Sequence, residues 1–351
     1  MRVLRRRLVS RGDIPGSDGG IYNPGAVATD EGIVLVCRRE IDYRFSGIVH
    51  AERILLDPGT LEIVAHSRLR PRGYPEGSRI EDLRCMTFAG RHLAIHTLVE
   101  PGRIRPMISQ FDDRHIEPWD SLDAPLELTP VEKNWVLFEH EGRLHCLYRL
   151  DPLTILVRDE KPSWRLLRQE ENGWSASFEN MLSNSANLIP FMDGYLGFWH
   201  SIVDGRYVQG AVLLGSDLKI RYSTGVLLDG SAVTHGYKPG VLYVSAIVRD
   251  GARVLVFYGE ADAHCGVAIV DAAELEAELR RNPFTPTEPV RIRLVCARMR
   301  ELFDAMIALQ ALSRDRGQPK IQVYIDDPRL AIPIGFFGIP NLAVRKGTGG
   351  R

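Results

Sequence analysis

The chain has 351 residues, 44% of them hydrophobic and 25% charged, with a formal net charge of −1. That is enough apolar chain for a large core in one or two domains, and the near-neutral balance leaves no electrostatic footprint for nucleic acid. The five cysteines (Cys37, Cys85, Cys146, Cys265, Cys296) are far apart and form no Cys-x-x-Cys pair, which argues against a disulfide framework or a structural zinc site.

The opening segment MRVLRRRLVSRG is basic but has no apolar stretch behind it, so it does not read as a secretory signal. No run approaches the ~18 apolar residues of a membrane span, and the chain is expected to be cytoplasmic with no membrane partner. From about residue 15 to 270 short β-branched and aromatic runs alternate with turn signals such as Asp57-Pro58-Gly59-Thr60, Asp204-Gly205 and Asp250-Gly251. Five tight turns recur, at Glu31-Gly32, Ala89-Gly90, Glu141-Gly142, Asp193-Gly194 and Asp250-Gly251. Each is followed by an apolar strand, and the strands end at Arg38, His96, Tyr148-Arg149, His200 and Tyr258. A hairpin repeat of about 50 to 60 residues is the pattern of a propeller with four-stranded blades. The fold is therefore predicted to be all-β, a five-bladed β-propeller over residues 1–282, whose radial packing would bring remote strand ends to one pocket.

DAAELEAELRRN (Asp271–Asn282) has an Asp at its start and apolar residues at helical spacing, which predicts a short helix lying on the last blade. RNPFTPTEPV, with three prolines in ten residues, reads as a linker. Arg298–Gly317 has an amphipathic helical pattern with Gly317 as a C-cap, IQVYIDD reads as a strand, and LAIPIGFFGIPNLAV is apolar with two prolines. Residues 283–351 thus read as a linker and C-terminal helical arm that covers apolar surface, as a homodimer contact or a pocket wall.

Several side chains in the repeat region carry candidate chemistry. Asp82 lies in SRIEDLRCMTF two residues before Arg84, and strand alternation puts those two on one side with Glu81 and Leu83 on the other. Asp82 can act as a proton donor if desolvation raises its pKa against the nearby cation; the alternative is an Asp–Arg pair closing a strand turn. Arg38, Lys133, Arg149 and His200 are cations from different modules, and phosphate requires such convergent donors; each serves equally well as a blade cation paired with a carboxylate. Tyr22, Trp135, Tyr148, Trp199 and Tyr258 suit either stacking on a sugar ring or the core. His96, His200, His235, His264 and Asp262 are candidate ligands for a divalent metal, although no pair has a fixed metal-motif spacing.

The ordered set YNPGAV (Tyr22–Val27), CRRE (Cys37–Glu40), IEDLR (Ile80–Arg84), EKNWVLF (Glu132–Phe138), YRLDP (Tyr148–Pro152), GYLGFWH (Gly194–His200) and FYGEAD (Phe257–Asp262) resembles glycoside hydrolase family 130, the five-bladed mannoside phosphorylases and related mannosidases. The resemblance covers about residues 20 to 275 and leaves the last 70 or so outside. It implies that Asp82 matches the general acid of an E-D-P-R motif, acting on the leaving oxygen through the 3-hydroxyl of the sugar. It also implies sugar contacts at Asn23, Arg38, Arg84 and Asp262, and phosphate ligands at Arg149 and His200, with Lys133 where phosphorylases usually carry another Arg. Leu83 replaces the Pro of that motif, and SNSA (Ser183–Ala186) stands where Gly-Gly-Thr is expected. The expected function is inverting phosphorolysis or hydrolysis of a β-mannoside with no required cofactor, its partners a sugar and phosphate. Tyr258 joins the expected sugar contacts. Hydrolysis would need a second carboxylate, for which Glu132 is the candidate. The propeller with an extended arm also resembles Mg- or Mn-dependent enzymes that rearrange GDP-sugars, and a sugar-binding propeller without catalysis is the third alternative.

Overall fold

The computed structural model describes residues 3–41, 49–100, 103–126, 128, 131–160, 163–174, 182–286, 290–294, 304–308, 321–325 and 342–346. The fold is all-β, the class that the hairpin repeat predicts. After β1 (Val3–Val9) comes an antiparallel meander of β2 (Gly20–Thr29), β3 (Gly32–Glu40), β4 (Val49–Leu56) and β5 (Ile63–Pro71). The next comprises β6 (Arg79–Phe88), β7 (Arg91–Glu100), β8 (Arg103–Phe111) and β9 (His115–Asp120). A third holds β10 (Val136–His140), β11 (Arg143–Leu150), β12 (Leu153–Arg158) and β13 (Trp164–Glu170). In the fourth, β14 (Ser183–Asn184) and β15 (Ile189–Phe191) share one edge of β16 (Gly194–Val203), while β17 (Arg206–Gly215) carries β18 (Ile220–Ser223) and β19 (Leu228–Asp229). The last has β20 (Leu242–Asp250), β21 (Arg253–Glu260) and β22 (His264–Asp271), and β1 completes it by pairing antiparallel with β22.

Successive meanders touch in turn: β2 touches β6 and β20, β6 touches β10 and β20, β11 touches β14, and β16 and β17 touch β20. Strand β2 is buried from Gly20 through Val27, whereas the outer strand β5 is mostly exposed. Turn chemistry sets the hairpins. Ala89-Gly90, Glu141-Gly142 and Asp204-Gly205 all have positive φ (48° and 73°, 51° and 70°, 48° and 73°), the twist that closes a two-residue hairpin.

Three first strands contain one residue more than their partners. Pairing jumps from Tyr22↔Arg38 to Gly25↔Val36 in β2, from Glu81↔Thr97 to Arg84↔Ile95 in β6, and from Val244↔Tyr258 to Ala246↔Phe257 in β20. Such bulges re-aim side chains, and Asn23 and Asp82 sit within them in left-handed backbone at φ 50° and 55°. The bulge in β6 corrects the alternation expected from the sequence. Glu81 and Asp82 both face Arg38, at 2.9 and 3.8 Å, and Leu83, where the family motif has Pro, is fully buried in the core. Gly25 lets the second meander approach: a Cβ there would lie 2.6 Å from Cys85 Sγ and 2.9 Å from the Leu83 carbonyl oxygen.

By contacts the chain divides into one compact unit of Met1–Gln169 with Ser183–Phe284 and another of Glu170–Leu182 with Thr285–Arg351. In the first, α1 (Ala272–Arg281) is capped by the Asp271 carboxylate, which accepts the Glu274 N–H at 2.9 Å, and buries Leu275 and Leu279. In the second, β23 (Val290–Leu294), β24 (Ile321–Ile325) and β25 (Leu342–Lys346) form a parallel sheet. β24 falls on the segment IQVYIDD that reads as a strand, while its parallel pairing with β23 and β25 joins strands remote in sequence that local periodicity cannot link. Residues 304–308 are helical, within the expected Arg298–Gly317 helix; the rest of that helix and most of the apolar segment proposed as a dimer contact lie outside the described residues. Among the described residues no helix is long and apolar enough to cross a membrane.

Two stability measurements follow. Gly25→Ala forces a Cβ onto Cys85 and backbone, and should lower stability by about 1–3 kcal/mol, read as an earlier urea midpoint with an unchanged slope. His96 is 2% exposed, with Nε2 at 2.8 Å from Ser109 Oγ and Nδ1 unpartnered, and burial pulls its pKa down to about 4. The unfolded chain takes up this proton below pH about 6.5, so stability falls as pH drops through the window from 6.5 to 4, by on the order of 3 kcal/mol. His96→Gln should flatten that fall in urea melts at pH 7 and 4.5; an unaltered pH slope would refute the assignment.

Candidate functional site

The bulges bring a set of polar side chains to the inner ends of the first strands. Arg38 enters from β3, 8% exposed, and its guanidinium is held by Glu40 Oε1 at 2.6 and 3.0 Å and by Glu81 Oε2 at 2.9 Å. Glu40 is held in turn by the Tyr22 hydroxyl at 2.6 Å. The same guanidinium lies 3.8 Å from Asp82 Oδ1, which also accepts the Asn23 amide at 2.8 Å. Gly259 makes room for Asn23, since a Cβ there would fall 2.1 Å from Asn23 Oδ1.

Arg84 links this cluster to three other meanders. Its Nε donates to the Ser185 carbonyl oxygen, and Nη2 donates to Asn134 Oδ1 at 3.0 Å and to the Tyr243 hydroxyl. Tyr243 also donates to Asn134 Oδ1 at 3.1 Å, and its ring meets the edge of His200 at 5.0 Å. His200 lies parallel to the Tyr207 ring, with centroids 5.7 Å apart, and its Nδ1 is 3.0 Å from Ser185 Oγ. The SNSA segment thus has a definite task. Ser185 holds both Arg84 and His200, and Asn184 Nδ2 donates to the carbonyl oxygens of Asn134, Leu147 and Tyr148 at 3.0–3.1 Å.

Electrostatics separate the two neighbouring carboxylates. Burial pushes Asp82 up, but Arg38 first, then the Asn23 amide, Arg84 and Lys133, pull it below its ordinary value. The sequence expectation made donation conditional on a raised pKa; in this arrangement the cations outweigh desolvation. Glu81 goes the other way, since burial raises it beyond what Arg38 and Arg79 withdraw. His200 is held down to about 3 by burial, then by Arg84 and Lys133.

Asn23, Arg38, Asp82 and Arg84 are therefore joined by direct contacts, His200 is joined through Ser185 and Tyr243, and the charge of exposed Lys133 reaches both Asp82 and His200. Asp262, at φ 53°, pairs with Lys238 at 2.6 Å, and its charge reaches Tyr22 and Tyr207. Exposed Arg149 stands 4.7 Å over the Tyr148 ring, whose hydroxyl bonds Glu132, and no contact joins it directly to Asp82. Tyr258 is not part of the cluster. It is 2% exposed in the core, packed where only Gly266 leaves space, with Arg5 over its ring at 5.3 Å. The bulge in β20 shifts its partner strand, which breaks the equivalence of strand ends that suggested it.

Glu132 is buried at 5% exposure, its carboxylate bonded by the Tyr148 hydroxyl at 3.1–3.2 Å and by Trp135 Nε1 at 3.3 Å. The candidate metal ligands are dispersed: His96 meets Tyr74 and Ser109, His200 meets Ser185, and His264 meets the Arg11 N–H. Among the described residues no group of three His, Cys, Asp or Glu could hold a metal, so the nucleotide-sugar reading gains no support here. Sequence reasoning missed Glu40, Asn134, Ser185, Tyr207, Gln209, Lys238 and Tyr243. Glu40, Asn134, Ser185 and Tyr243 fall in or beside the first two strands of a meander, so aligning the repeats on their inner strands would have flagged them, whereas Tyr207 and Gln209 lie in the later strand β17.

The Listeria innocua beta-1,2-mannobiose phosphorylase superposes with a TM-score of 0.62 at 16% identity, covering 80% of this chain and all of that one. The Leishmania mexicana mannose phosphorylase MPT-4, solved with phosphate ion, gives 0.53 at 13% identity, covering 76% and 89%. A structure from the GH130 family of mannoside phosphorylases, described as containing glycoside hydrolases that target beta-1,2 mannosidic linkages in Candida mannan, gives 0.54 at 14% identity, covering 76% and 90%. At these identities the likeness is one of fold. No curated protein matches the sequence. Residues 15–277 match glycoside hydrolase family 130, described as beta-1,4-mannooligosaccharide phosphorylase, and the chain belongs to that family.

Proposed function

We propose that the five meanders are the blades of one propeller and that the cluster at their inner ends is the site of an inverting β-mannoside phosphorylase. Asp82 supplies a proton to the leaving oxygen, by way of a sugar hydroxyl. Phosphate, held by Lys133, Arg149 and His200, attacks the anomeric carbon from the opposite face. Monohydrogen phosphate and protonated Asp82 become a sugar 1-phosphate monoanion and an Asp82 carboxylate. The C1–O bond to the aglycone breaks, and the aglycone leaves as an alcohol with the Asp82 proton. Asn23, Arg38, Arg84 and Asp262 would contact the sugar. The step as written uses no cofactor.

The observation that carries this reading is the state of the carboxylates. Glu40 and Glu81 are clamped to Arg38, Asp262 is paired with Lys238, and Glu132 is buried against Tyr148 and Trp135. None is placed as a free base for water, which inverting hydrolysis requires. Exposed Lys133, by contrast, has no ion pair among the described residues. The lowered Asp82 pKa fits the same scheme. Lys133, one of the cations that lower Asp82, is a group that a phosphate dianion would neutralise, so anion binding raises the proton affinity of the donor.

The test is incubation with β-1,4- and β-1,2-mannobiose, with and without phosphate. Mannose 1-phosphate should appear only with phosphate. Asp82→Asn should lose on the order of 10²- to 10⁴-fold in kcat/KM while keeping its thermal midpoint. Free mannose released at equal rates without phosphate would make the enzyme a hydrolase; no turnover of either disaccharide, or a fully active variant, would remove the reading.

A further inference from the structure

His200 is bound into a chain of hydrogen bonds whose direction can be read from its far end. Gln209 of β17 has both ends of its amide fixed: Nε2 donates to the Leu242 carbonyl oxygen at 2.9 Å, and Oε1 accepts the Val244 N–H at 3.4 Å. Ser185 Oγ lies 2.9 Å from that Oε1. A carbonyl oxygen has no hydrogen to give, so the Ser185 hydroxyl must donate. Its proton committed, Ser185 Oγ can meet His200 Nδ1 at 3.0 Å only as an acceptor, and Nδ1 therefore carries the hydrogen. Gln209 and Ser185 are fully buried and His200 is 4% exposed, so the relay lies out of reach of bulk water. The ring cannot turn freely either, being stacked on Tyr207 and edged by Tyr243. The ring also bonds the Asn184 backbone, and in a neutral imidazole with a protonated Nδ1, Nε2 offers a lone pair.

We propose that His200 faces the anion as a hydrogen-bond acceptor, so that the site selects an oxyanion that brings its own proton, monohydrogen phosphate or monohydrogen arsenate, and discriminates against sulfate. The proposal rests on the reading that Lys133, Arg149 and His200 hold phosphate. Sulfate has the same charge and tetrahedral shape as monohydrogen phosphate but no hydrogen at neutral pH. Its oxygen would face the Nε2 lone pair, leaving a desolvated acceptor against an acceptor. Monohydrogen phosphate donates its P–O–H to Nε2 and keeps three unprotonated oxygens for the cations and for attack. Burial with Arg84 and Lys133 nearby works against the imidazolium form that would otherwise bind either anion. The hydroxyl-bearing oxygen is thereby fixed at His200, and one of the others is left to meet the anomeric carbon.

Two measurements on the full chain at pH 7.5 test this. First, KM for phosphate and arsenate and the inhibition constant for sulfate are determined with mannobiose as cosubstrate. Arsenate should replace phosphate, and sulfate should bind on the order of 10- to 100-fold more weakly. In Ser185→Ala the ring is free to place its hydrogen on Nε2, and that discrimination should narrow. Second, ¹⁵N shifts of ring-labelled histidine, with the His200 signal found by its loss in His200→Gln, report which nitrogen carries hydrogen without any anion present. Nδ1–H in the wild type and weak sulfate binding support the proposal. Nε2–H, or sulfate inhibiting as tightly as arsenate binds, overturns it while leaving phosphorolysis intact. Failure of phosphate, arsenate and sulfate alike to bind would remove the phosphate reading itself, and the tautomer result would show that this was the part that failed.

Discussion

One extra residue in the first strand of a meander decides which side chains meet where the meanders touch. A regular inner strand alternates its side chains, and each neighbour of a polar group would return to the core. The bulges at Asn23 and Asp82 break that alternation with left-handed backbone, at a local cost that packing must offset. Asn and Asp tolerate the conformation better than most residues, and close approach at Gly25 and Gly259 makes the room. The return is that two consecutive acidic residues, Glu81 and Asp82, both reach Arg38.

A buried guanidinium is costly unless its donors are used. Arg38 gives two hydrogen bonds to Glu40 and one to Glu81, and Tyr22 supports Glu40 from behind. The remaining face of the cation is turned to Asp82, near enough to act on its charge but, at 3.8 Å, too far for a hydrogen bond. That spacing separates the roles of two otherwise similar carboxyl groups. Glu81 is bonded, shielded and raised; Asp82 is partly open and lowered. Environments that push paired carboxyls apart in this way are how one site assigns them different tasks.

The all-β class, the hairpin turns and the helix after Asp271 were legible because they depend on local chemistry: glycines at positive φ, period-two strands, an Asp cap. The candidate cluster was legible in part. Arg38, Asp82, Arg84 and His200 stood out as polar residues where an apolar strand should continue. Glu40 and Ser185 did not: Glu40 matters through the Arg38 it shares with Glu81 of another strand, and Ser185 through Arg84, 101 residues away. Tyr258 misled for the converse reason. It occupies an equivalent place in its repeat, but equivalence in sequence survives a register shift in the neighbouring strand only as proximity, and the ring turned into the core. The three-stranded parallel sheet was illegible on principle, since no local pattern announces which distant strands will pair.

On the proposed phosphate reading, Lys133, where the resembled family pattern has Arg, changes how an anion can be held. An ammonium supplies charge without a preferred plane, whereas a guanidinium fork fixes two oxygens at once. If charge alone set the position of phosphate, its four oxygens would be interchangeable and the attacking one undefined. Direction must then come from groups whose own orientation is locked. Arg149 is held over the Tyr148 ring, and the His200 ring is fixed by two aromatic neighbours and the Ser185–Gln209 relay. The proposed reading would couple the two departures from the resembled pattern, Lys133 and the SNSA segment. The loss of directional bonding at one position is matched by a directed hydrogen-bond chain at the other, and Ser185, which also receives Arg84, ties that chain to the carboxyl group it must act beside.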